Sequence, residues 1–384
     1  MNLRHLRAWP GSAVARAQLR QRWNALLGCC PGSSIFQSYE WHEAWWSSFG
    51  ADYELHLLLI EQAERLLAIA PFVVDVRRGL AGPRRCLRLL GSCNAASDYA
   101  DCIVAADQPE ARIAIFDWLA DNPVQWQRLE LDNLPAASPS LALGATHVRL
   151  PQPLRQFAAK APARRLGDAA ADRTVLQKKS LRRHINGLRR QGPVILQRLR
   201  TRSDIERHLP MFFAQHCARW AGTRTPSLFH DLRQQVFYHA LTRSFADDER
   251  LNFSAVLWRD RPIAYHFGFE WQGVFTWYKP SFDPTLAEHS PGEALLYLLF
   301  EDVIGRGLRE FDFTVGNEAF KYRFANIERE VHRLRVYARL AERLPALARH
   351  ELKHWLRKPL NKFRGFTGQD GSVRESSAKA HDSA

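Results

Sequence analysis

The chain of 384 residues has no apolar run near the roughly 18–20 residues that a membrane span requires. Ala294 to Phe300, an apolar run of seven residues, is closed off by Glu293 and Glu301. The N-terminus, MNLRHLRAWPGSAVARAQLR, is basic but has no apolar core of the secretory type; its lack of acids is the one trait it shares with a transit peptide. Cysteine pairing is missing too. The six cysteines, at 29, 30, 86, 93, 102 and 217, form no C-x-x-C, and a chain this long needs no disulfide staples. No His/Cys/carboxylate set has zinc spacing, so the expectation is a cytoplasmic protein with reduced thiols and no metal.

Acids are also in short supply: 40 Asp and Glu stand against 54 Lys and Arg, a net charge of +14. An excess of this size favours anionic partners such as CoA phosphates, nucleic acid or an acidic lipid surface. It is concentrated in two places. From Arg155 to Arg202 there are 14 basic residues against Asp168 and Asp172, and from Arg335 to Arg364 nine against Glu342 and Glu351.

Apolar residues are plentiful, at 46% with 22 Phe and 12 Trp, enough for sizeable cores in two domains. The first part opens on a helix in which Trp41, Ala44 and Trp45 repeat at helical spacing. Strands are predicted at 55–60, 65–76, 86–90 and 101–105, then a helix at 109–120 and a strand at 126–131. A segment rich in Ala, Arg and Pro, 151–172, reads as a linker. The second part carries helices at about 176–191, 204–220 and 228–246. A meander follows, with strands 253–258, 263–270 and 274–278, then a helix at 292–304 and a strand at 310–314. Both parts run helix, antiparallel strands, helix, strand. The expected architecture is mixed α/β, with two related halves at 1–160 and 161–342. A basic segment and disordered tail follow at 343–384.

Chemistry is expected between Phe253 and Phe324. Ser290-Pro291-Gly292-Glu293 opens a helix, where unpaired amides and the dipole favour a phosphate; Pro suits the first turn, Ser can cap it, and Gly292 lets an anion approach. The same turn is equally consistent with a well-capped helix that binds nothing. Farther on, Asp312 lies inside an aromatic strand, and Gly316-Asn317-Glu318 leads to Lys321 and Arg323. Asp312 or Glu318 could take a proton from an attacking amine, and Lys321 or Arg323 could offset a phosphate or an oxyanion. An edge-strand acid paired with a nearby arginine is the structural alternative. His266, mid-strand in Tyr265-His266-Phe267-Gly268-Phe269, could be a base or a packing residue, and Trp277 and Tyr278 could line an acyl pocket or simply pack.

These residues resemble a known family. Ser290-Pro291-Gly292 through Asp312-Phe313 and Gly316 to Lys321 are similar to the CelD-like, cellulose-biosynthesis-associated branch of the GNAT acetyltransferases, itself related to the Fem peptidyltransferases. Looser matches are Phe36-Gln37-Ser38 with Glu40-Trp41 and Ala44-Trp45-Trp46, the basic string Lys179, Leu181-Arg182-Arg183, Leu188, Arg189 and Gly192, and Asp283; together they cover Ile35 to Val336. The resemblance implies a tandem GNAT-like acyl-CoA N-acyltransferase fold with the catalytic site in the second half. Asp312, Glu318, Lys321 and His266 would then be catalytic, and Ser290, Pro291, Gly292, Tyr278 and Arg323 would bind acetyl-CoA or another acyl-CoA as co-substrate. The acceptor would be a sugar, polysaccharide precursor or similar small molecule. The family's Gly-Asp is Gly316-Asn317 here, and its Tyr before the lysine is Phe320. The rivals are a Fem-like transferase using aminoacyl-tRNA and a non-catalytic scaffold in exopolysaccharide assembly; other nucleic acid is the least favoured partner. The segment 344–363, with Trp355 among Leu and Lys, could contact the inner face of the membrane peripherally.

Overall fold

In the second half, the turns Arg259-Asp260 and Gln272-Gly273 all take positive φ, as tight hairpins with right-handed strand twist require. Through them β9 (Leu251–Trp258), β10 (Arg261–Trp271) and β11 (Val274–Phe282) form the meander read from sequence. The computed structural model describes residues 1–79, 82–94, 96–223, 225–245 and 248–338. The tail at 343–384, with its basic segment 344–363, lies outside the described residues.

Chain order repeats, apart from one short strand of the first half. The first half runs β1 (Asn2–Leu6), α1 (Ala13–Gly28), α2 (Tyr39–Phe49), β2 (Tyr53–Gln62), β3 (Arg65–Gly79) and β4 (Gly82–Leu89), then a short β5 (Ile103–Val104), α3 (Glu110–Asp121) and β6 (Arg128–Pro135). The second runs β8 (Val194–Leu199), α7 (Arg202–Trp220), α8 (Leu232–Phe245), β9, β10, β11, α9 (Pro291–Gly305) and β12 (Glu310–Asp312). Each half ends in a short helix and a strand: α4 (Pro139–Thr146) with β7 (Leu154–Arg165), and α10 (Ala319–Tyr322) with β13 (Ile327–Tyr337). These last strands change places. β7 pairs with β12, β13 pairs with β6, and β7 and β13 pair with each other, which joins the halves into one sheet of order β1-β2-β3-β4-β6-β13-β7-β12-β11-β10-β9-β8.

This exchange corrects the linker reading of 151–172. That segment holds β7 near the middle of the sheet and the start of α5 (Ala169–Leu176). The sequence boundary between 160 and 161 falls inside β7. The basic N-terminal stretch is folded as β1 and α1.

Helices cover both faces. On one, α1, α2, α7 and α8 share a single core across the two halves: the Trp41 ring stands edge-on to Phe237 at 5.3 Å, Phe269 at 5.5 Å and Tyr278 at 5.6 Å. Glu40 of α2, fully buried, accepts from Arg20 at 2.8 Å and from Arg250 of the other half at 3.0 Å, so charge as well as apolar surface locks the halves together. On the opposite face, α3 and α4 cover the first half, while α5, α6 (Lys179–Gln191) and α9 cover the second. α6 turns Leu181, Ile185 and Leu188 inward and leaves Lys179, Arg182, Arg183, Arg189 and Arg190 exposed, the division that helical periodicity predicts.

Candidate functional site

The sheet opens at one place in the second half. β11 and β12 are parallel partners only over Val274–Thr276 and Glu310–Asp312, and beyond those pairs they part. At the parting, β11 bulges: Phe267 faces Lys279 and Phe269 faces Thr276, so Trp277 and Tyr278 share Gly268 as their opposite residue. A side chain at 268 has no room. A Cβ there would lie 2.1 Å from His266 Cε1 and 2.4 Å from the Thr276 carbonyl oxygen.

The vacated space is filled by the His266 ring. It lies nearly parallel to Trp277 (4.9 Å, 16°) and to Phe275 (5.0 Å, 29°), and its Nε2 accepts the Tyr278 amide at 3.2 Å. Burial pushes the imidazole down to about 3, so it is neutral. His266 thus lies buried inside the bulge, stacked between its neighbours and bonded to the Tyr278 amide.

Beyond the parting stands a cluster of charges. Asp312 Oδ1 accepts from Tyr99 Oη at 2.8 Å and from the Thr314 amide at 2.7 Å, while Arg329 lies 3.6 Å from Oδ2. Burial pushes Asp312 up to about 6 in spite of that arginine. Thr314 adopts a left-handed φ of 60° and donates its hydroxyl to the Trp277 carbonyl at 3.3 Å. Gly316 follows at φ 148°, and a Cβ there would be 2.1 Å from Glu318 Oε2 and 2.7 Å from Lys321 Nζ. Without one, the turn lets Lys321 fold inward, buried, 3.0 Å from Glu318 and 3.2 Å from the Val315 carbonyl.

The first half reaches into this cluster. Its loop after β4 carries Asp98 and Tyr99, held in place by Trp41 Nε1 on Ser97 (2.9 Å), Asn133 on the Ser97 carbonyl (2.9 Å) and Tyr278 Oη on the Ala96 carbonyl (2.8 Å). Asp98 is pushed up to about 6 by burial, against the charges of Lys279 and Lys321. Lys279, at the end of β11, is pushed down by burial. Two carboxyls near 6 beside two ammonium groups at a break in the sheet make a candidate site for proton transfer. Of the nine residues singled out from sequence, Asp312, Glu318, Lys321 and Tyr278 meet here. Asp98, Tyr99, Lys279 and Thr314 were missed, and no local signal marks Asp98, whose loop lies more than 200 residues from β12.

Ser290, Pro291, Gly292 and Arg323 come together elsewhere, at the start of α9. Ser290 is left-handed (φ 51°) and makes no side-chain cap; its carbonyl instead takes the amides of Glu293 (3.0 Å) and Ala294 (3.2 Å). Glu293 in the first turn already answers the dipole, held by His184 and Arg323, each at 2.9 Å, and Arg323 also donates to Ser180 at 2.7 Å. Arg219 stands close by. It donates to the Pro280 carbonyl at 3.2 Å and packs on Phe282, whose ring also meets the bare side of Gly292. Burial pushes Arg219 down to about 10, and among the described residues no acid pairs with it. It is a cation available to an anion. Among the described residues no group of His, Cys, Asp and Glu could hold a metal, and no helix is long and apolar enough to cross a membrane.

Residues 176–322 match the family model of the acetyltransferase (GNAT) domain. No curated protein matches the chain. Several solved structures share its fold at very low identity. FemX is 10% identical with a TM-score of 0.61, covering 90% of this chain and 99% of its own. A conserved protein of unknown function from Bacteroides thetaiotaomicron is 12% identical with a TM-score of 0.55, covering 86% and 100%. The C-terminal domain of a putative lysylphosphatidylglycerol synthetase from Agrobacterium fabrum is 12% identical with a TM-score of 0.53, covering 88% and 96%. The fold is thus a tandem of GNAT-like units, and the GNAT match covers most of the second. The β11–β12 ladder of that second unit ends where the charges gather.

Proposed function

We propose that the protein is a cytoplasmic acyltransferase of the CelD-like kind. It would move an acyl group, acetyl in the simplest case, from acyl-CoA to an amine or hydroxyl of a sugar or polysaccharide precursor. The observation that carries this reading is the parting of β11 and β12 beside Asp98, Asp312, Lys279 and Lys321. The acceptor nitrogen or oxygen attacks the thioester carbon, the carbon–sulfur bond breaks, and the acceptor proton passes to a carboxylate. Lys279 and Lys321 offset the negative charge that develops on the carbonyl oxygen. Arg219, with no acid partner among the described residues, is the group assigned to a donor phosphate. The catalytic unit is then the second half, 161–342, completed by the loop after β4.

A second reading keeps the site and changes the donor to an aminoacyl ester of tRNA. The exposed cations of α6, Lys179, Arg182, Arg183 and Arg190, which pair with no acid among the described residues, favour it, because such a row suits a phosphate backbone. Isothermal titration with acetyl-CoA, longer acyl-CoAs and free CoA, followed by transfer to a panel of amino sugars, separates the two. Micromolar binding of a CoA ester with transfer is expected. Binding of aminoacyl-tRNA with no response to any CoA ester would replace the first reading by the second.

A further inference from the structure

The helices that join the two halves leave the middle of the sheet uncovered on their side. Their shared core draws on β2, β3 and β8 to β11, and among the described residues it takes none from β4, β6, β7, β12 or β13. Alternation decides what these central strands show there. Leu129, Leu131, Leu334 and Val336 turn to α3 and α4, so Glu130, Arg333 and Arg335 turn the other way. On β12, Phe311 packs with α9 and Asp312 takes the uncovered face. Ala163 lies opposite Asp312 and Ala161 opposite Arg329, so the floor of β7 between them is low.

At the end of this face away from the parting, four arginines meet two acids. Arg88 lies 2.6 Å from Glu130 and 3.2 Å from Asp132, and Arg335 also pairs with Glu130. Arg333 pairs with Asp132 and stands 3.6 Å from Glu130, while Arg128 is 3.4 Å from Glu130. Arg88 and Arg335 are the inner pair, their side chains 14% and 16% exposed, and they alone balance the two carboxylates. Arg128 and Arg333, 37% and 38% exposed, are surplus charge at the solvent side. A lattice that served only to neutralise buried acids would stop at two.

Resting on the acyltransferase reading of the neighbouring site, we propose that Arg128 and Arg333 hold the acidic group of an extended saccharide acceptor. The saccharide lies along β13 and β7, with its accepting amine or hydroxyl at the parting. Distance argues for an extended molecule. Asp312 and Ile327 both face Ala163, and Arg333 stands six residues beyond Ile327, about 20 Å along a strand. A single sugar is too short for that interval. Arg329, which lies between, is already committed to Glu310 and Asp312, so the acidic group passes to the far end. A guanidinium accepts carboxylate and phosphate alike, and the two surplus charges flank Glu130 closely enough to act together.

The test uses the full-length protein and the double variant Arg128→Gln/Arg333→Gln. In that variant Glu130 keeps Arg88 and Arg335, and Asp132 keeps Arg88, so both acids stay paired. Calorimetric titration compares three probes: maltotetraose, maltotetraose 1-phosphate and a tetramer of galacturonic acid. The wild type should bind at least one acidic probe about tenfold or more tightly than maltotetraose, and the double variant should lose that preference. The preferred probe tells phosphate from carboxylate. Raising salt from about 0.05 to 0.5 M should weaken acidic binding and leave maltotetraose unchanged. In transfer from acetyl-CoA, the double variant should raise KM for an acidic amino-saccharide at least about tenfold, with kcat within about threefold. Equal affinity for all three probes, or an acidic preference that survives the double variant, overturns the proposal alone. Acidic binding that the variant abolishes, with no transfer from any CoA ester, keeps the saccharide site and overturns the acyltransferase reading. Should the double variant not fold, each single variant and the salt dependence of the wild type decide in the same way.

Discussion

Tyr99 Oη lies 2.8 Å from Asp312 Oδ1, a hydrogen bond that runs from the loop after β4 in the first half to the parting of β11 and β12 in the second. It joins a phenol that burial keeps protonated to a carboxyl that burial makes reluctant to ionise. The bond favours the ionised form, so its loss should move Asp312 further up. Tyr99→Phe should destabilise the fold by about 1.5–3 kcal/mol, the range for a hydrogen bond to a charged group. In urea the midpoint should fall with the slope unchanged. An unmoved midpoint would mean that the two halves do not make this contact in solution.

Lys321 has a structural role beside its proposed one. The structure buries it against Glu318 and the Val315 carbonyl, so stability must suffer too. Lys321→Met keeps the length and removes the donors. Turnover should drop at least about tenfold, with a stability loss of about 1–3 kcal/mol from the stranded carbonyl. Wild-type kinetics in a destabilised variant would leave Lys321 a structural role only.

The first half shows what becomes of the same strand position when charge is neutralised. Leu129-Glu130-Leu131-Asp132 on β6 matches Phe311-Asp312-Phe313-Thr314 in place. Burial by itself raises Glu130, yet Arg88 (2.6 Å), Arg128 (3.4 Å) and Arg335 overwhelm it and bring it down to about 2. Because the folded value lies below the unfolded 4.5, the group's stabilisation is full above 4.5 and is lost as the pH falls toward 2. Glu130→Gln should cost about 3–5 kcal/mol at neutral pH, because the largely buried Arg88 and Arg335 lose the carboxylate they share. The gap to wild type should shrink by about 3 kcal/mol between pH 4.5 and 2. A gap that stays constant over that window would mean the ion pairs do not hold the proton off.

Much of the second half was legible because local rules and tertiary needs agree there. The meander β9 to β11 has positive-φ turns where the sequence places Arg-Asp and Gln-Gly, and α9 carries Leu295, Leu299 and Val303 on one face. β7 was hidden for the opposite reason. Its Phe157-Ala158-Ala159-Lys160-Ala161-Pro162-Ala163-Arg164-Arg165 is poor in strand formers, and its conformation is imposed by β13 on one side and β12 on the other. The site divides in the same way. Asp312 and Lys321 sit in one short motif and could be read together. Asp98 reaches them only because the two halves pack on a shared core, and nothing in Ser97-Asp98-Tyr99 foretells that distant contact.

Gly268 offers a test of the bulge itself. In Gly268→Ala the new Cβ would meet His266 Cε1 at 2.1 Å and the Thr276 carbonyl at 2.4 Å. The ring could swing aside, but only by releasing the Tyr278 amide, whose acceptor is His266 Nε2. The carbonyl belongs to the backbone of β11 and cannot swing without shifting Thr276 beside Asp312, its partner in the parallel ladder. Overpacking of this kind costs about 1–3 kcal/mol or more. His266→Ala removes the ring but strands a buried amide, for a similar loss of about 1–3 kcal/mol. The double variant should therefore be no more stable than Gly268→Ala, because the clash with Thr276 persists after the ring is gone. Calorimetric melting of the three proteins decides the point: a double variant restored to wild-type stability would mean that the ring alone, and not the strand backbone, requires glycine at 268.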